Sequence, residues 1–164
     1  MTGSPVYVSV IGAGDADSHA LGAAETIGRE LAARGAVTVC GGRGGVMEAA
    51  CRGAQAAGGT TVGLLPDDDR RHANAYLTVS LPTGMWELRN GLVARAGDAV
   101  IAVGGEFGTL SEIGFALKLG RPVVGVGTWR FARGDGAAVA AVEEVGDPAE
   151  AVSRALALVA QNPR

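Results

Sequence analysis

The chain has 164 residues, of which 48% are hydrophobic and 27 are glycine, and its formal net charge is -3. This length suits one domain, over residues 1–164, that buries a continuous core without disulfides or metals. Fourteen Lys and Arg are scattered among seventeen acids, which leaves no basic stripe for nucleic-acid phosphates. No segment approaches the apolar length of a membrane helix, and the first residues lack a secretion signal, so we expect no membrane partner and a cytoplasmic location.

Short apolar runs that end in glycine alternate with segments of helical periodicity along the chain. In chain order the pattern predicts strand 6–12, helix 17–35, strand 36–42, helix 45–59, strand 60–66, charged loop 67–74, strand 76–82, helix 84–97, strand 98–105, helix 107–120, strand 121–127, loop 128–136, strand 137–145 and helix 147–161.

Alternating strands and helices predict right-handed crossovers in an α/β fold, a doubly wound Rossmann-like domain. We expect a mostly parallel sheet of about seven strands with helices on both faces. Three strand ends carry glycine turns, at 12–17, 41–45 and 104–109. In such a sheet these turns lie at one edge, where ligands bind beside the point at which the strand order reverses.

Several common sites are disfavoured by spacing. The first turn, GAGDAD, begins like a dinucleotide fingerprint, but Asp17 replaces its third glycine and the second strand ends in Cys40 instead of an acid. The chain lacks the GK[ST] step of a nucleotide-triphosphate loop. Cys40 and Cys51 have neither CxxC spacing nor nearby histidines, so we expect reduced structural thiols and no metal site. The run DDDRR is more typical of a solvated charge run than of a Mg²⁺ site.

The first two glycine turns are candidate ligand contacts. Gly12 and Gly14 either serve only as a tight strand exit or allow a ligand to approach the backbone. The second turn offers free backbone N–H groups at a helix start, which favours an anion, and Arg43 either adds a cation or lies in solvent. The candidate glycines of this second turn are Gly41, Gly42, Gly44 and Gly45.

The third turn, GGEFGTLSE, allows two interpretations. Thr109 and Glu112 have the spacing of a helix capping box. Alternatively, Glu112 is a catalytic carboxylate at the crevice, within reach of Arg89. A carboxylate paired with arginine would stay ionised, and it could stabilise a developing sugar cation or position a water.

This stretch resembles the PGGxGTxxE motif of the LOG family, formerly called lysine decarboxylase-like, which includes cytokinin-activating nucleoside 5'-monophosphate phosphoribohydrolases. The longer run 82–129 resembles more closely a bacterial branch of that superfamily that includes the molybdenum cofactor carrier proteins. The similarity extends from about residue 5 to residue 130. By resemblance, Gly105, Gly108 and Thr109 bind phosphate, Glu112 is the motif's essential glutamate, and Arg89 works with it.

Three residues depart from the hydrolase pattern: Gly104 replaces proline, Glu106 replaces glycine, and Asn90 replaces lysine. The lost cation and an inward carboxylate would both weaken monophosphate binding. Asn90 also fits the carrier-like branch. We expect Glu106 to be turned towards solvent.

Two functions follow. We expect hydrolysis of the N-glycosidic bond of a nucleoside 5'-monophosphate to free base and ribose 5-phosphate, with no cofactor required. The alternative is a non-catalytic carrier of molybdenum cofactor or of another phosphate-bearing ligand. In both cases the partner is a small molecule, a nucleotide or pterin phosphate. The apolar helices 84–97 and 107–120, like the resemblance, also predict a homodimer or larger homo-oligomer. The pattern leaves open whether loop 67–74 closes over the ligand.

Overall fold

The computed structural model describes residues 4–162, which form a seven-stranded parallel sheet, five α-helices and a separate two-stranded ribbon. The predicted domain also includes residues 1–3 and 163–164, which lie outside the described residues. The strands of the sheet are β1 (Tyr7–Gly12), β2 (Val37–Cys40), β3 (Thr61–Leu65), β4 (Val79–Pro82), β5 (Ala99–Val103), β6 (Val123–Val126) and β9 (Glu143–Glu144). The helices are α1 (Ser18–Ala33), α2 (Val46–Ala56), α3 (Asn90–Ala96), α4 (Phe107–Lys118) and α5 (Pro148–Gln161).

The strand order is β4-β3-β2-β1-β5-β6-β9, and every neighbouring pair in the sheet is parallel. The chain therefore runs outward from β1 to one edge, returns to β5 and continues to the other edge. The order reverses between β1 and β5, where Gly12 lies opposite Val103. The turns that follow these two strands flank the reversal point, and the turn after β2 lies beside them. The predicted doubly wound Rossmann-like sheet is confirmed.

Both faces of the sheet are covered. On one face, Val8 and Val10 of β1 pack against α1, α2 and α5, and on the other face Ile11 packs against α3 and α4. All five residues of β5 are buried. This two-sided burial explains the uninterrupted Val, Ile and Ala runs of the sequence, since a strand covered on both faces has no polar side. In residues 4–162, no helix has the length and apolar character needed to cross a membrane.

The chain differs from the predicted elements in two segments. The predicted helix 84–97 is divided into a 3-10 turn, Trp86–Arg89, and the short helix α3. The predicted loop 128–136 and strand 137–145 instead form an antiparallel ribbon of β7 (Phe131–Ala132) and β8 (Ala138–Val139), followed by β9. The turn of this ribbon is stabilised by Asp135, whose carboxylate accepts from the backbone N–H of Ala137. Only Glu143–Glu144 of the predicted last strand joins the sheet.

Helices α1 and α2 touch through glycine. A methyl group at Gly28 of α1 would lie 1.9 Å from the carbonyl oxygen of Ala50, and one at Gly53 of α2 would lie 1.9 Å from that of Glu25. Each helix therefore lies against the backbone of the other, where no side chain fits. This close contact between the helices fixes the position of α2, and with it the second glycine turn that immediately precedes α2.

We predict opposite effects for two alanine substitutions in α1. Gly28→Ala should lower the free energy of unfolding by about 3 kcal/mol, because the methyl group forces the helices apart. Gly22→Ala, at an exposed position where a methyl group meets no other atom of the described chain, should raise the free energy of unfolding by about 0.5 to 1 kcal/mol. Urea denaturation of both variants measures the difference. Equal effects would contradict the close helix contact.

Candidate functional site

A cavity of about 220 Å³ opens at the carboxyl edge of the sheet, beside the point where the strand order reverses. Parts of the first and third glycine turns line it, together with residues from α2, α3, α4 and the 3-10 turn before α3. The predicted site residues that line it are Gly12, Gly14, Arg89, Gly108, Thr109 and Glu112. The other lining residues are Ala13, Met47, Asn90 and Glu106. Ala13 and Met47 were not predicted from the sequence, although Ala13 lies within the first predicted glycine turn and Met47 lies two residues after the second.

The remaining predicted glycines, Gly41, Gly42, Gly44, Gly45 and Gly105, are not among the residues that line the cavity in the described chain. They shape its walls instead, as two of them show. Gly45 has a φ of 66°, and a methyl group there would lie 2.3 Å from the carbonyl oxygen of Ala13. That carbonyl accepts from the N–H of Val46, so the second turn lies directly against the first.

Gly105 determines where α4 begins. Its φ is 111°, and a methyl group there would lie 2.4 Å from the side chain of Thr109. The chain can therefore turn sharply enough for the helix to begin at Phe107, with Glu106 at the N-cap position. The predicted capping box is wrong, because Thr109 lies inside the helix and cannot be its cap. The helix starts at Phe107, as the predicted range 107–120 has it, but its N-cap lies three residues before the Thr109 of the predicted capping box.

The first turn of α4 borders the cavity through Gly108 and Thr109. In the described chain, the side chain of Glu106 makes no capping hydrogen bond to this turn. The first N–H groups of a helix have no partner within the helix, and they lie at the positive end of its dipole. This edge of the cavity therefore suits an anionic group.

Arg89 and Glu112 form a buried ion pair in the cavity wall. The Nη1 of Arg89 lies 3.6 Å from the Oε1 of Glu112, and their side chains are only 9% and 8% exposed. The Nη2 of Arg89 donates to the carbonyl oxygen of Gly41 at 3.3 Å. The guanidinium therefore joins α4 to the turn that follows β2.

Asn90 occupies the position where the hydrolase motif has lysine, and it has a structural role in the wall. Its side-chain oxygen accepts from Nη1 of Arg89, and its amide nitrogen donates to Oγ of Ser111 at 2.9 Å. Ser111 in turn donates to the carbonyl oxygen of Gly108 at 2.7 Å. Asn90 thus connects the guanidinium to the first turn of α4 without adding charge to the cavity.

Burial decides the protonation of Glu112. Loss of solvent raises the pKa of its carboxyl group from 4.5 to about 7, although the charge of Arg89 acts in the opposite direction. The expectation that Arg89 keeps Glu112 fully ionised is therefore wrong, since desolvation outweighs the pairing. Burial also lowers the pKa of Arg89, and Glu112 opposes that change. Near neutral pH, Glu112 can accept or donate a proton inside the cavity.

The structure also places Glu106 and the two cysteines, for which the sequence predicted an exposed carboxylate and reduced thiols. Glu106 is exposed to solvent, and it also lines the mouth of the cavity. Cys40 and Cys51 are buried free thiols whose sulfur atoms lie 3.5 Å apart. Within residues 4–162, no group of three or more His, Cys, Asp and Glu is arranged to hold a metal ion.

The family model described as LDcluster4, SLOG cluster4 family, matches residues 5–156. The chain belongs to the SLOG cluster4 family. A protein of Archaeoglobus fulgidus is 40% identical to this chain over 118 residues, which cover 72% of this chain and 78% of that protein. The assignment confirms the predicted placement in a branch of the LOG superfamily.

Two solved structures share the fold over nearly the whole chain. The molybdenum cofactor binding protein of Rippkaea orientalis has a TM-score of 0.84 at 28% identity, covering 94% of this chain and 98% of that one. The molybdenum cofactor carrier protein of Chlamydomonas reinhardtii has a TM-score of 0.81 at 31% identity, covering 94% and 99%. The SLOG cluster4 chain is therefore close in structure to carrier proteins, as the resemblance of residues 82–129 predicted.

We predict that Glu112 makes stability depend on pH. A carboxyl group whose pKa is raised on folding stabilises the fold below its unfolded pKa of 4.5, and that contribution is lost as the pH rises through about 7. The native protein should thus lose up to about 3 kcal/mol relative to Glu112→Gln across this window, at about 1.4 kcal/mol per pKa unit. Urea denaturation at several pH values measures the difference.

The matched control is Glu106→Gln, which removes an exposed carboxylate from the mouth of the same cavity. Its stability should follow that of the native protein at every pH. Parallel curves for native protein and Glu112→Gln between pH 4.5 and 7 would show that Glu112 does not titrate in the buried position.

Proposed function

We propose that this chain binds a phosphate-bearing small molecule in the cavity and acts as a carrier of a pterin cofactor such as molybdenum cofactor. The observation that carries the proposal is the first turn of α4, which presents backbone N–H groups to the cavity beside the Arg89 guanidinium. A helix N-terminus and an arginine together form a site for an anion such as phosphate. The two structural relatives that bind or carry molybdenum cofactor support the choice of ligand.

The dimensions and charge of the cavity fit such a ligand in part. At about 220 Å³, the cavity is smaller than the roughly 300 to 1,000 Å³ of sites that enclose a drug-sized ligand. It accommodates the phosphate end, and the ring system would extend to the mouth. Glu106 lies at that mouth, and its carboxylate can accept from the adjacent N–H groups at the pyrimidine edge of a pterin.

Hydrolysis of a nucleoside 5'-monophosphate is the second candidate, and the position of Glu112 favours it. A buried carboxyl group with a pKa of about 7 is suited to general acid or base catalysis at neutral pH. In its ionised form Glu112 would stabilise positive charge that develops on the ribose as water cleaves the N-glycosidic bond. Arg89 would orient Glu112 or contact the departing base.

A binding and product assay separates the two functions. We expect the native protein to bind molybdopterin and to release no ribose 5-phosphate from adenosine or guanosine 5'-monophosphate. Arg89→Gln should weaken molybdopterin binding at least about tenfold, because the phosphate loses its cation. Isothermal titration measures the affinities, and a coupled assay measures ribose 5-phosphate.

Glu106→Gln is the informative control in this assay. It should weaken molybdopterin binding, because the pterin N–H groups lose a charged acceptor. It should leave the affinity for inorganic phosphate unchanged or slightly higher, because one negative charge is removed from the mouth. Release of ribose 5-phosphate by the native protein, lost in Glu112→Gln, would replace the carrier proposal with the hydrolase.

We also propose that the chain forms a homodimer through the exposed apolar face of α3, α4 and the 3-10 turn before α3. This face flanks the cavity wall, and its side chains are large and substantially exposed: Trp86 59%, Leu88 75%, Leu92 38%, Phe107 79% and Phe115 45%. Large apolar side chains exposed on neighbouring elements are typical of interaction surfaces. A second copy would cover the face next to the ligand site.

Sedimentation tests the dimer. The native protein should sediment at twice the 16.4 kDa chain mass at micromolar concentration, and Leu88→Glu should sediment as a monomer because a charge enters the apolar contact. Leu81→Glu, an exposed apolar position on the edge strand β4, should remain dimeric. A native species of 16.4 kDa would contradict the proposal.

A further inference from the structure

The charged loop 67–74 contains a buried carboxylate. Asp67 is only 5% exposed, although it belongs to a run of three aspartates that the sequence marks as solvated. Its Oδ2 lies 3.2 Å from Nη1 of Arg43, in an ion pair, and 3.0 Å from Nδ1 of His72. Its Oδ1 accepts from the N–H of Asp69 at 3.3 Å. A carboxylate is buried at such a position only when partners offset its desolvation, so these contacts hold the loop in one arrangement.

Through these contacts the loop is attached to the second glycine turn. Arg43 is the middle residue of that turn, and it also donates to the carbonyl oxygen of His72 at 3.3 Å. Asn74 donates from its side chain to the carbonyl oxygen of Arg43 at 3.1 Å and from its backbone to that of Gly42 at 3.0 Å. The loop therefore supports the turn, and in the described chain none of residues 67–74 lines the cavity.

The backbone of Asp67 is also hydrogen-bonded to the segment that leads to Arg89. The carbonyl oxygen of Asp67 accepts from the N–H of Gly84 at 3.0 Å, and that of Pro66 accepts from the N–H of Trp86 at 2.8 Å. Trp86 has a φ of 49°, a left-handed conformation that a tryptophan keeps only when its surroundings hold it there. This segment leads directly into the 3-10 turn that ends at Arg89.

Arg89 is thus constrained from two directions. Its backbone follows a segment tied to Pro66 and Asp67, and its Nη2 donates to Gly41, in the turn that Asp67 holds through Arg43. We propose that Asp67 is a positioning residue of the ligand site, which fixes the Arg89 guanidinium although it is not among the residues that line the cavity in the described chain. The proposal deepens the proposed function, on which its ligand-binding test rests.

The sign of the effect on anion binding distinguishes positioning from simple electrostatics. Asp67→Asn removes one negative charge near the site, so electrostatics alone would strengthen the binding of an anion. If Asp67 positions Arg89, the same substitution weakens binding, because the Arg43 contact loses its charge and the turn that anchors Arg89 loosens. Asp68→Asn removes an equal charge from the exposed neighbouring residue and gives the electrostatic effect by itself.

The experiment uses inorganic phosphate as the probe and measures its Kd by titration for native protein and variants. We expect Asp67→Asn to raise the Kd about tenfold, which corresponds to loss of one well-placed contact, and Asp68→Asn to leave it unchanged or lower it. Arg43→Gln breaks the same ion pair from its exposed end and should act in the same direction. Its effect and that of Asp67→Asn should be far from additive in the double variant.

A second measurement does not depend on ligand binding. The exchange rate of the Arg89 Nε–H proton, assigned by comparison with Arg89→Lys, reports directly on the guanidinium in the free protein. We expect this exchange to be about tenfold faster in Asp67→Asn and unchanged in Asp68→Asn. Loss of one well-placed contact should raise about tenfold the population of the open state from which the Nε–H proton exchanges. Thermal unfolding verifies that each variant is folded at the temperature of measurement.

The outcomes separate the two proposals. Absence of phosphate binding by the native protein would contradict the proposed function, while the exchange measurement would still test the role of Asp67. Tighter or unchanged phosphate binding by Asp67→Asn would overturn the positioning role, and so would unchanged exchange at Arg89 in the folded variant.

Discussion

The architecture of the site depends on one buried ion pair, Arg89 with Glu112. Two charged side chains less than a tenth exposed are costly to bury; for Glu112 the attraction of Arg89 offsets the desolvation only in part, and the buried guanidinium needs further polar partners. The fold supplies those partners from different elements: the carbonyl oxygen of Gly41 after β2 and the side chain of Asn90 at the start of α3. The pair can therefore form only when the β2 turn, α3 and α4 are all in their native positions.

The glycine turns matter because they allow this convergence. Gly45 lets the second turn lie against the carbonyl groups of the first, and Gly105 lets α4 begin early enough to place Glu112 opposite Arg89. These are requirements on the backbone, and they say nothing about which ligand the cavity binds. The side chains at the cavity are where the candidate functions differ. Asn90 supports the wall without charge, while Glu106 brings a carboxylate to the mouth.

Much of this arrangement could be predicted from the sequence, for a physical reason. Periodicity identifies parallel strands and crossover helices, and parallel strands place their following turns at one edge, so Gly12, Gly108 and Glu112 were expected near one another. The range of α4 was predicted, but its capping residue was not, because the spacing of Thr109 and Glu112 matches a capping box equally well. The choice depends on the left-handed conformation of Gly105, which a glycine permits without requiring it.

The charge run shows a second limit of sequence interpretation. DDDRR has the composition of a solvated loop, and Asp68 is exposed as that composition indicates, yet Asp67 is buried. The difference comes from residues remote in the chain, since Arg43 lies in another turn, which the pairing of β2 with β3 brings beside Asp67. Local composition indicates which segments are exposed to solvent, whereas burial of a single carboxylate depends on whether the fold places a cation beside it. That cation, Arg43, belongs to the turn that also contacts Arg89. Loop 67–74, whose composition predicts exposure to solvent, therefore supports the ligand site.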